Sequence, residues 1–411
     1  MARFNITLDQ EEVLQLLTQD SSNAFKTLLE KTLNQLLKVE SAEQLKAQPY
    51  ERNTGRTDFR NGTRIRPLTT RIGTIELAVP RHRNVPFKTL VFQNYKRSEA
   101  ALVTTMAEMV VAGVSTAKVG RVMEEICGKS FSKQTVSEAC KELDDTVAEF
   151  SNRRIEDNYL FVMVDATYLK VRQNHRVVSK ALLVAMGLNS LGRKELIGFS
   201  LADAETKESW TEFLCSLKAR GLNGMKMFTS DTHEGIVCAL QDIFPDVAWQ
   251  RCQTHFTRNI IDATPKRLKE GLRSELIEMF NSSDIKQARK RRDEIISDYS
   301  LEAPKAMECL DAGFDDAMTV MQLPEEMRRC TRTSNYLERL NREIKRRTKA
   351  ISIFPNTSSV IRLVGSFLIE ENDRWAIKGK LYYTPACKKL EQQVPELIKI
   401  AHIQRQLRKA A

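Results

Sequence analysis

The sequence predicts an α/β protein whose core is a β-sheet completed by helices from later in the chain. Three runs rich in β-branched and aromatic residues are joined by short connections that suit a meander: 159–172, 176–189 and 193–203. A helical pattern then stops at Gly221, a buried strand follows at 225–231, and a further helix precedes a strand at 247–252. Three strands, helix, strand, helix, strand is the order of the RNase H-like fold, which is therefore the expected core.

Changes in charge, composition and hydrophobic pattern along the chain indicate seven segments. A chain of 411 residues is longer than a single ordinary domain. In chain order, we expect an N-terminal helical segment (1–45), a small basic module (46–97), a helix-turn-helix (98–152), the first part of the core (153–255), a charged all-helical insertion (256–325), an acid-bearing helix that ends the core (326–380) and a C-terminal tail (381–411).

Composition favours a polyanionic partner and an intracellular location. A formal net charge of +11 attracts polyanions, although the same excess could serve only solubility. The eight cysteines form no C-x-x-C pair, which argues against a disulfide framework or a zinc ribbon. Neither a secretory signal nor an apolar run of about 20 residues is present in the sequence. We expect a cytoplasmic protein with no membrane partner.

The first hundred residues change from apolar helix to basic module. Apolar residues at helical spacing between about Glu11 and Leu37 predict an amphipathic helix, which could dimerise or pack onto its own chain. Between residues 52 and 97, eleven basic residues face only Asp58 and Glu76. Ile72, Ile75, Leu77 and Val79 alternate as in a short strand ending on Pro80.

This basic stretch is the expected footprint of a polyanion, with a merely solvated surface as the alternative. The arginines that we expect to contact DNA are Arg52, Arg56, Arg60, Arg64, Arg66, Arg71 and Arg81.

The next segment has the pattern of a helix-turn-helix. A helix after Ser98 is followed by a turn at residues 112–115, a second helix through Cys127 and a third helix capped by Ser132. The third helix would present Lys133, Gln134 and Thr135 to a DNA groove. The residues expected to pack inward are Val136, Ala139, Cys140 and Leu143. Small three-helix units also occur without DNA binding, and that alternative stays open.

Two aspartates fall where the expected core would bring them together. Asp165 lies in the middle of the first strand, after an apolar run in which a lone acid would be costly to bury. Asp231 ends the fourth strand, beside the first in this topology. Carboxylates from separate elements that converge on divalent cations are what two-metal phosphodiester cleavage requires, and their oxygens are the ligands that Mg2+ prefers.

A third acid is expected on the helix at 333–349. Leu337, Leu340 and Ile344 form its apolar stripe at 100° per residue. The other face carries Glu338 together with Asn335, Asn341, Arg342, Lys345 and Lys349. This pattern suits a metal ligand held against a phosphate backbone, with Arg342 and Lys345 as DNA contacts. Glu343 lies roughly 140° from Glu338 and off that face. An exposed helix with Glu–Arg pairs is the alternative.

At these residues the chain closely resembles the Mutator-type transposases of bacterial insertion sequences. The resemblance is carried by DATYLKVR around Asp165, SDTHEGI around Asp231, FPDVAWQRCQTHFTRN with Cys252 and His255, and the N-x-x-E-x-x-N pattern around Glu338. It extends upstream through RTDFRNGTRIRPLTTRIGTIELAVPR and covers residues 50 to 380.

The resemblance implies a DDE transposase, in which Asp165, Asp231 and Glu338 form a catalytic and metal-binding triad. It also implies Mg2+, with Mn2+ as a substitute, and double-stranded DNA as partner, both terminal inverted repeats and target. The chain departs from the pattern at Arg339, where a small residue is typical. Synapsis of two ends favours a homodimer, and the resemblance implies a bacterial protein associated with the nucleoid.

Cys252 and His255 form a C-x-x-H pair that could supply two zinc ligands. A structural zinc site normally needs four, so the pair alone does not predict one. We expect them, with Asn335 and Asn341, to support the active site instead. Two rival functions remain, a domesticated non-catalytic DNA-binding regulator and an RNase H-like nuclease. The regulator fits the basic N-terminal half, and the nuclease fits the acids but not the long end-binding region.

Overall fold

The computed structural model describes residues 21–51, 54–70, 73–89, 100–127, 130–383 and 388–410. The chain divides into two compact units, residues 1–143 and 144–411. The N-terminal unit contains a helix–hairpin module and a three-helix module, and the C-terminal unit contains a five-stranded sheet with its helices.

The helix–hairpin module is built from helix α1 (Ser21–Leu45) and the antiparallel strands β1 (Arg60–Thr70) and β2 (Gly73–His82). Its core consists of Leu37, Leu68, Ile75 and Leu77, so α1 packs onto its own chain. Strand β2 does not end on Pro80, as the sequence had indicated, but continues to His82. A two-stranded sheet tolerates proline because each strand has a free edge. Ile72 and the segment before residue 21 lie outside the described residues.

The three-helix module follows the expected pattern in its described part. Helices α2 (Ala100–Val111) and α3 (Thr116–Cys127) are joined by a turn in which Gly113 has a φ of +94°, a conformation that favours glycine. Helix α4 (Lys133–Ala139) begins at Ser132, whose Oγ accepts a hydrogen bond from Thr135 N at 3.0 Å. Its inward residues Val136, Ala139 and Cys140 are buried, and Leu143 is half-buried.

A 3-10 turn at Cys140–Glu142 and helix α5 (Leu143–Asn152) then lead to the sheet. The sheet contains β3 (Tyr159–Gln173), β4 (Arg176–Asn189), β5 (Lys194–Ala202), β6 (Met227–Ser230) and β7 (Ala248–Arg251). Their spatial order is β5-β4-β3-β6-β7. The first three are antiparallel, and β6 and β7 are parallel to β3. The predicted α/β class and element order are confirmed.

Helices α6 (Lys207–Ala219) and α7 (Glu234–Ile243) connect β5, β6 and β7 and pack on the sheet through Trp210, Phe213 and Ile236. The predicted insertion (256–325) lies within a longer helical region, from Gln253 to Thr331, whose helices are joined by short connections. This region comprises α8 (Gln253–Asp262), a 3-10 turn at Lys266–Leu268, α9 (Lys269–Phe280), α10 (Ile285–Tyr299), α11 (Pro304–Ala317), a 3-10 turn at Thr319–Gln322 and α12 (Glu325–Thr331).

Three further helices complete the unit: α13 (Asn335–Thr348), α14 (Thr357–Lys378) and α15 (Lys388–Ala410). Helix α14 packs against β5. The segment expected to be a C-terminal tail contains α15, which packs on the edge strand β7. The buried Gln404 amide accepts a hydrogen bond from Trp249 N at 3.0 Å and donates one to Trp249 O at 2.8 Å. These bonds satisfy backbone groups that the edge of the sheet would leave unpaired.

Candidate active site

The register of the sheet brings the two aspartates side by side. Strand β3 pairs with β6 in parallel, and Met163 lies opposite Thr229. Two residues further along the same register are Asp165 and Asp231. Asp231 follows the last residue of β6, and its Oδ1 also accepts a hydrogen bond from His233 N at 3.1 Å. The carboxylate therefore helps to begin α7 while its charge acts on Asp165.

Asp165 is held by two hydrogen bonds, and its pKa is strongly raised. Its Oδ1 accepts a hydrogen bond from Ala166 N and its Oδ2 from Asn341 Nδ2, each at 3.0 Å. Burial, together with the charges of Asp231 and Glu338, raises the pKa of Asp165 to about 7 against the lowering effects of His255 and of the Ala166 N–H. Three carboxylates thus share one partly desolvated site.

Glu338 comes to this site from the first turn of α13. Its Oε1 lies 3.2 Å from His255 Nε2 and 3.9 Å from Arg258 Nη2. The contact with the imidazole lacks hydrogen-bond geometry, so this buried oxygen has no hydrogen-bond partner among the described residues. The pKa of His255 is raised to about 9, first by the adjacent Cys252 side chain and then, against burial, by Asp165 and Glu338. A protonated imidazole therefore faces the acids at neutral pH.

Helix α13 has the faces that the sequence indicated. Leu337, Leu340 and Ile344 are buried. Glu343 lies away from the site, where it contacts Arg346 at 2.6 Å and Arg347 at 3.2 Å. The hydrogen bonds from these arginines lower the pKa of Glu343 to about 2. Its carboxylate serves ion pairs within the helix.

The predicted supporting residues differ in what they contact. Asn341 is buried and its amide holds Asp165, whereas Asn335 is exposed and its Oδ1 accepts a hydrogen bond from Thr254 Oγ1 at 2.9 Å. The fully buried Cys252 Sγ accepts hydrogen bonds from Ser334 N at 3.3 Å and Ser334 Oγ at 3.2 Å. Because Ser334 immediately precedes α13, the thiol ties the end of β7 to the helix that carries Glu338.

The chemistry of these donors fits a divalent cation. In the described part of the chain, no group of three His, Cys, Asp or Glu side chains is already arranged around one metal position. Glu338 Oε1 and Asn341 Oδ1 are nevertheless buried without hydrogen-bond partners, and both lie beside acids that repel one another. Hard oxygen donors with unsatisfied charge suit Mg2+ or Mn2+.

The arginines predicted to contact DNA differ in the exposure and hydrogen bonding of their side chains in the helix–hairpin module. Arg64 and Arg81 are exposed. Arg60 donates hydrogen bonds to the carbonyls of Ala47 and Gln48, and Arg56 donates one to the carbonyl of Asp58. The guanidinium groups of Arg60 and Arg56 are thus partly committed to holding the module together. Arg66 is half-buried on β1, and Arg52 and Arg71 lie outside the described residues.

In the three-helix module, Lys133, Gln134 and Thr135 are exposed on the first turn of α4, as a recognition helix requires. On α13, Arg342 and Lys345 are exposed.

Several residues of the C-terminal unit were not predicted from the sequence. Arg258 contacts Glu338 and lies one helical turn beyond His255 on α8, in an H-x-x-R spacing that is visible in the sequence. Glu205 lies after β5, where burial and the charge of Asp231 raise its pKa. Lys194 is enclosed by Tyr336, Trp375 and other aromatic residues that are far apart in the chain.

Comparison with known proteins defines the class of the molecule. Residues 1–378 match the Mutator family of transposases. The chain therefore belongs to this transposase family, and the resemblance inferred from its motifs is confirmed. No helix among the described residues has both the length and the apolar character needed to cross a membrane.

Its relatives are transposases of insertion sequences. The chain is 40% identical over 387 residues to the transposase for insertion sequence element IS256 in transposon Tn4001 of Staphylococcus aureus, covering 93% of this chain and 99% of that protein. It is 36% identical over 378 residues to the transposase for insertion sequence element IS1081 of Mycobacterium tuberculosis, covering 91% of each. A solved Drosophila P element transposase strand transfer complex is 9% identical, covers 72% of this chain and 83% of that chain, and has a TM-score of 0.30, too low to define the fold.

Proposed function

We propose that this transposase is a DDE enzyme, with Asp165, Asp231 and Glu338 as its metal-binding catalytic triad, and that it cuts and joins DNA at the ends of an insertion sequence. The observation that carries the proposal is the convergence of three elements. The parallel register of β3 and β6 aligns Asp165 with Asp231, and α13 carries both Glu338 and the Asn341 amide that holds Asp165. The expected RNase H-like core is part of this proposal, supported by the strand order β5-β4-β3-β6-β7.

The proposed metal is Mg2+, with Mn2+ as a substitute, bound by the oxygens of the three acids. When bound, a pair of such ions would activate the attacking oxygen and stabilise the leaving oxygen of a phosphodiester. No covalent enzyme intermediate is required. Hydrolysis at the element's end frees a 3'-hydroxyl, and attack of that hydroxyl on a second phosphodiester joins the strands.

The protein's own residues prepare this site. Asn341 fixes the orientation of Asp165 through one amide hydrogen bond. His255 lies against Glu338, where its positive charge limits the repulsion among the acids. Cys252 links β7 to the start of α13 through Ser334, which keeps Glu338 in position. The exposed Arg342 and Lys345 on α13 are suited to the phosphates that flank the reacting bond.

Recognition of the DNA ends is assigned to the N-terminal unit. The hairpin presents exposed arginines such as Arg64 and Arg81, and α4 presents Lys133, Gln134 and Thr135. The proposed partners are the terminal inverted repeats and target DNA. A homodimer is proposed because two ends must be brought together. The relatives are named transposases for insertion sequences, which supports these substrates.

The test is incubation of the full chain with labelled inverted-repeat ends and Mg2+. A transposase of this type gives nicked ends and joined products, and Asp165→Asn and Asp231→Asn give neither while still binding the ends. Cleaved but never joined DNA would indicate the rival nuclease. Binding without cleavage by the unaltered chain would indicate a domesticated regulator.

A further inference from the structure

A second basic site lies in the C-terminal unit, on the side of α13 that faces β5 and the end of α14. It is a cleft of about 1130 Å³ formed by the turn after β4, by α13 from Tyr336 to Arg346 and by the segment from Phe367 to Tyr382. Ordinary small-molecule pockets measure about 300–1,000 Å³. Arg342, which lines the cleft, is one helical turn from Glu338. The cleft therefore begins next to the proposed catalytic acids.

The cleft carries an excess of positive charge, because eight basic and four acidic side chains line it. Of the acids, Glu195 pairs with Arg153, Glu343 with Arg346 and Glu371 with Arg374, and Asp157 accepts a hydrogen bond from Asn189. The basic residues of the lining that form no ion pair within the described residues are Arg193, Lys194, Arg339, Arg342, Lys378 and Lys380. Such a cluster of cations attracts a polyanion.

Three aromatic side chains lie among these cationic side chains in the cleft. The Lys194 ammonium lies 3.8 Å from the centroid of the Trp375 ring, 4.8 Å from that of Tyr336 and 5.7 Å from that of Tyr382. The two tyrosine rings meet edge to face at 5.2 Å, and all three rings are half-buried. Burial lowers the pKa of Lys194 to about 8. The charge of Glu371 opposes this lowering, but Lys194 forms no ion pair among the described residues. A partly buried ammonium of this kind is well satisfied by a phosphate oxygen.

We propose that this cleft binds a short single-stranded stretch of DNA, with phosphates on its cations and bases on its aromatic rings. Basic grooves interleaved with aromatic side chains are the general solution for single strands, because every base has a face on which a ring can stack. A duplex would use the charges but not the rings, since its bases are already stacked on one another. The inference rests on the proposed DNA cleavage, because a strand cut beside Glu338 has a new end whose terminal nucleotides can unpair.

The experiment measures binding of the full chain to a fluorescent oligothymidylate and, separately, to an inverted-repeat duplex. Trp375→Ala should weaken oligothymidylate binding about 5- to 100-fold. Trp375→Phe, which keeps a ring, should retain most of it. The matched control is Ile377→Ala, a highly exposed position on the same helix that does not line the cleft. All three variants should bind the duplex as the unaltered chain does.

If replacing Trp375 disturbs folding, a variant that removes charge from the cleft tests the proposal instead. Arg193 and Lys380 are exposed residues of the cleft, and Lys266 and Lys305 are exposed lysines outside it. Replacing the first pair with alanine should weaken oligothymidylate binding at least fivefold, and replacing the second pair should change it less than twofold. Equal binding by both double variants, or no binding of oligothymidylate by the unaltered chain, overturns the proposal.

Two further measurements distinguish this proposal from an acidic-peptide site and from the proposed catalytic function. Polyglutamate that binds as tightly as oligothymidylate, with the same dependence on Trp375, would assign the cleft to an acidic peptide and refute the DNA assignment. Asp165→Asn should keep oligothymidylate binding while abolishing cleavage. A chain that binds oligothymidylate through the cleft but never cleaves inverted-repeat ends would refute the proposed function and leave the cleft assignment standing.

Discussion

Replacing Glu338 with glutamine removes the charge of the third acid while keeping its shape. In the metal-free protein the carboxylate gains a 3.2 Å contact with His255 that lacks hydrogen-bond geometry and a 3.9 Å contact with Arg258, and it repels Asp165. These effects oppose each other at a partly exposed position, so the change in folding free energy should stay below about 1 kcal/mol. The melting temperature should therefore move by no more than about 2–4 °C.

The effect of Glu338→Gln on catalysis should be far larger. Loss of one charged metal ligand removes several kcal/mol of transition-state stabilisation, and about 4 kcal/mol corresponds to roughly a 10³-fold slower reaction. The assay is single-turnover cleavage and strand transfer on labelled inverted-repeat ends in Mg2+, with end binding measured in parallel. End binding should be unchanged, because the N-terminal unit is intact.

Glu343→Gln is the matched control on the same helix. It breaks contacts with Arg346 and Arg347, but Arg347 keeps Glu370 at 2.8 Å. We expect a loss of about 1 kcal/mol in stability and activity within a few-fold of the unaltered chain. An inactive Glu343 variant beside an active Glu338 variant would show that the third ligand was assigned to the wrong face of α13.

Three other predictions follow from the structure. Residues 1–143 should shift inverted-repeat DNA in a gel and lose most affinity as salt rises, because arginine contacts with phosphates release counterions; equal selectivity of residues 144–411 alone would contradict this. Cys252→Ala should lower stability by about 1–3 kcal/mol through the unsatisfied Ser334 donors, and metal analysis should find far less than one zinc per chain; stoichiometric zinc would refute a purely packing role. Asp58, whose pKa is lowered to about 2 chiefly by the Val85 N–H, should stabilise its module above pH 4 and lose that effect as pH falls toward 2; an Asp58→Asn variant with unchanged pH-dependence of melting would contradict this.

The fragment in the first of these predictions must include α1. The predicted DNA-binding segments were the basic module (46–97) and the helix-turn-helix (98–152), but Leu37 of α1 is fully buried against Leu68, Ile75 and Leu77. A fragment that begins at residue 46 would expose this core. The basic composition of the hairpin was visible in the sequence. That its hydrophobic core includes a residue of α1, from the preceding segment, was not.

Elements with strong periodicity were predictable, and contacts between distant segments were not. The strands of the core and the buried stripe of α13 followed from local apolar patterns, because each pattern reflects one buried face. The burial of Asn341 could not be inferred, since it depends on how closely α13 approaches β3. Likewise, Lys194 and Trp375 are brought together only by the packing of α14 against β5.

The most direct test of the catalytic assignment is the anomalous scattering of Mn2+ in crystals of the full chain bound to inverted-repeat DNA. We expect manganese within about 2.5 Å of carboxylate oxygens of Asp165, Asp231 and Glu338. Manganese bound elsewhere, with these three carboxylates left without metal, would contradict the assignment.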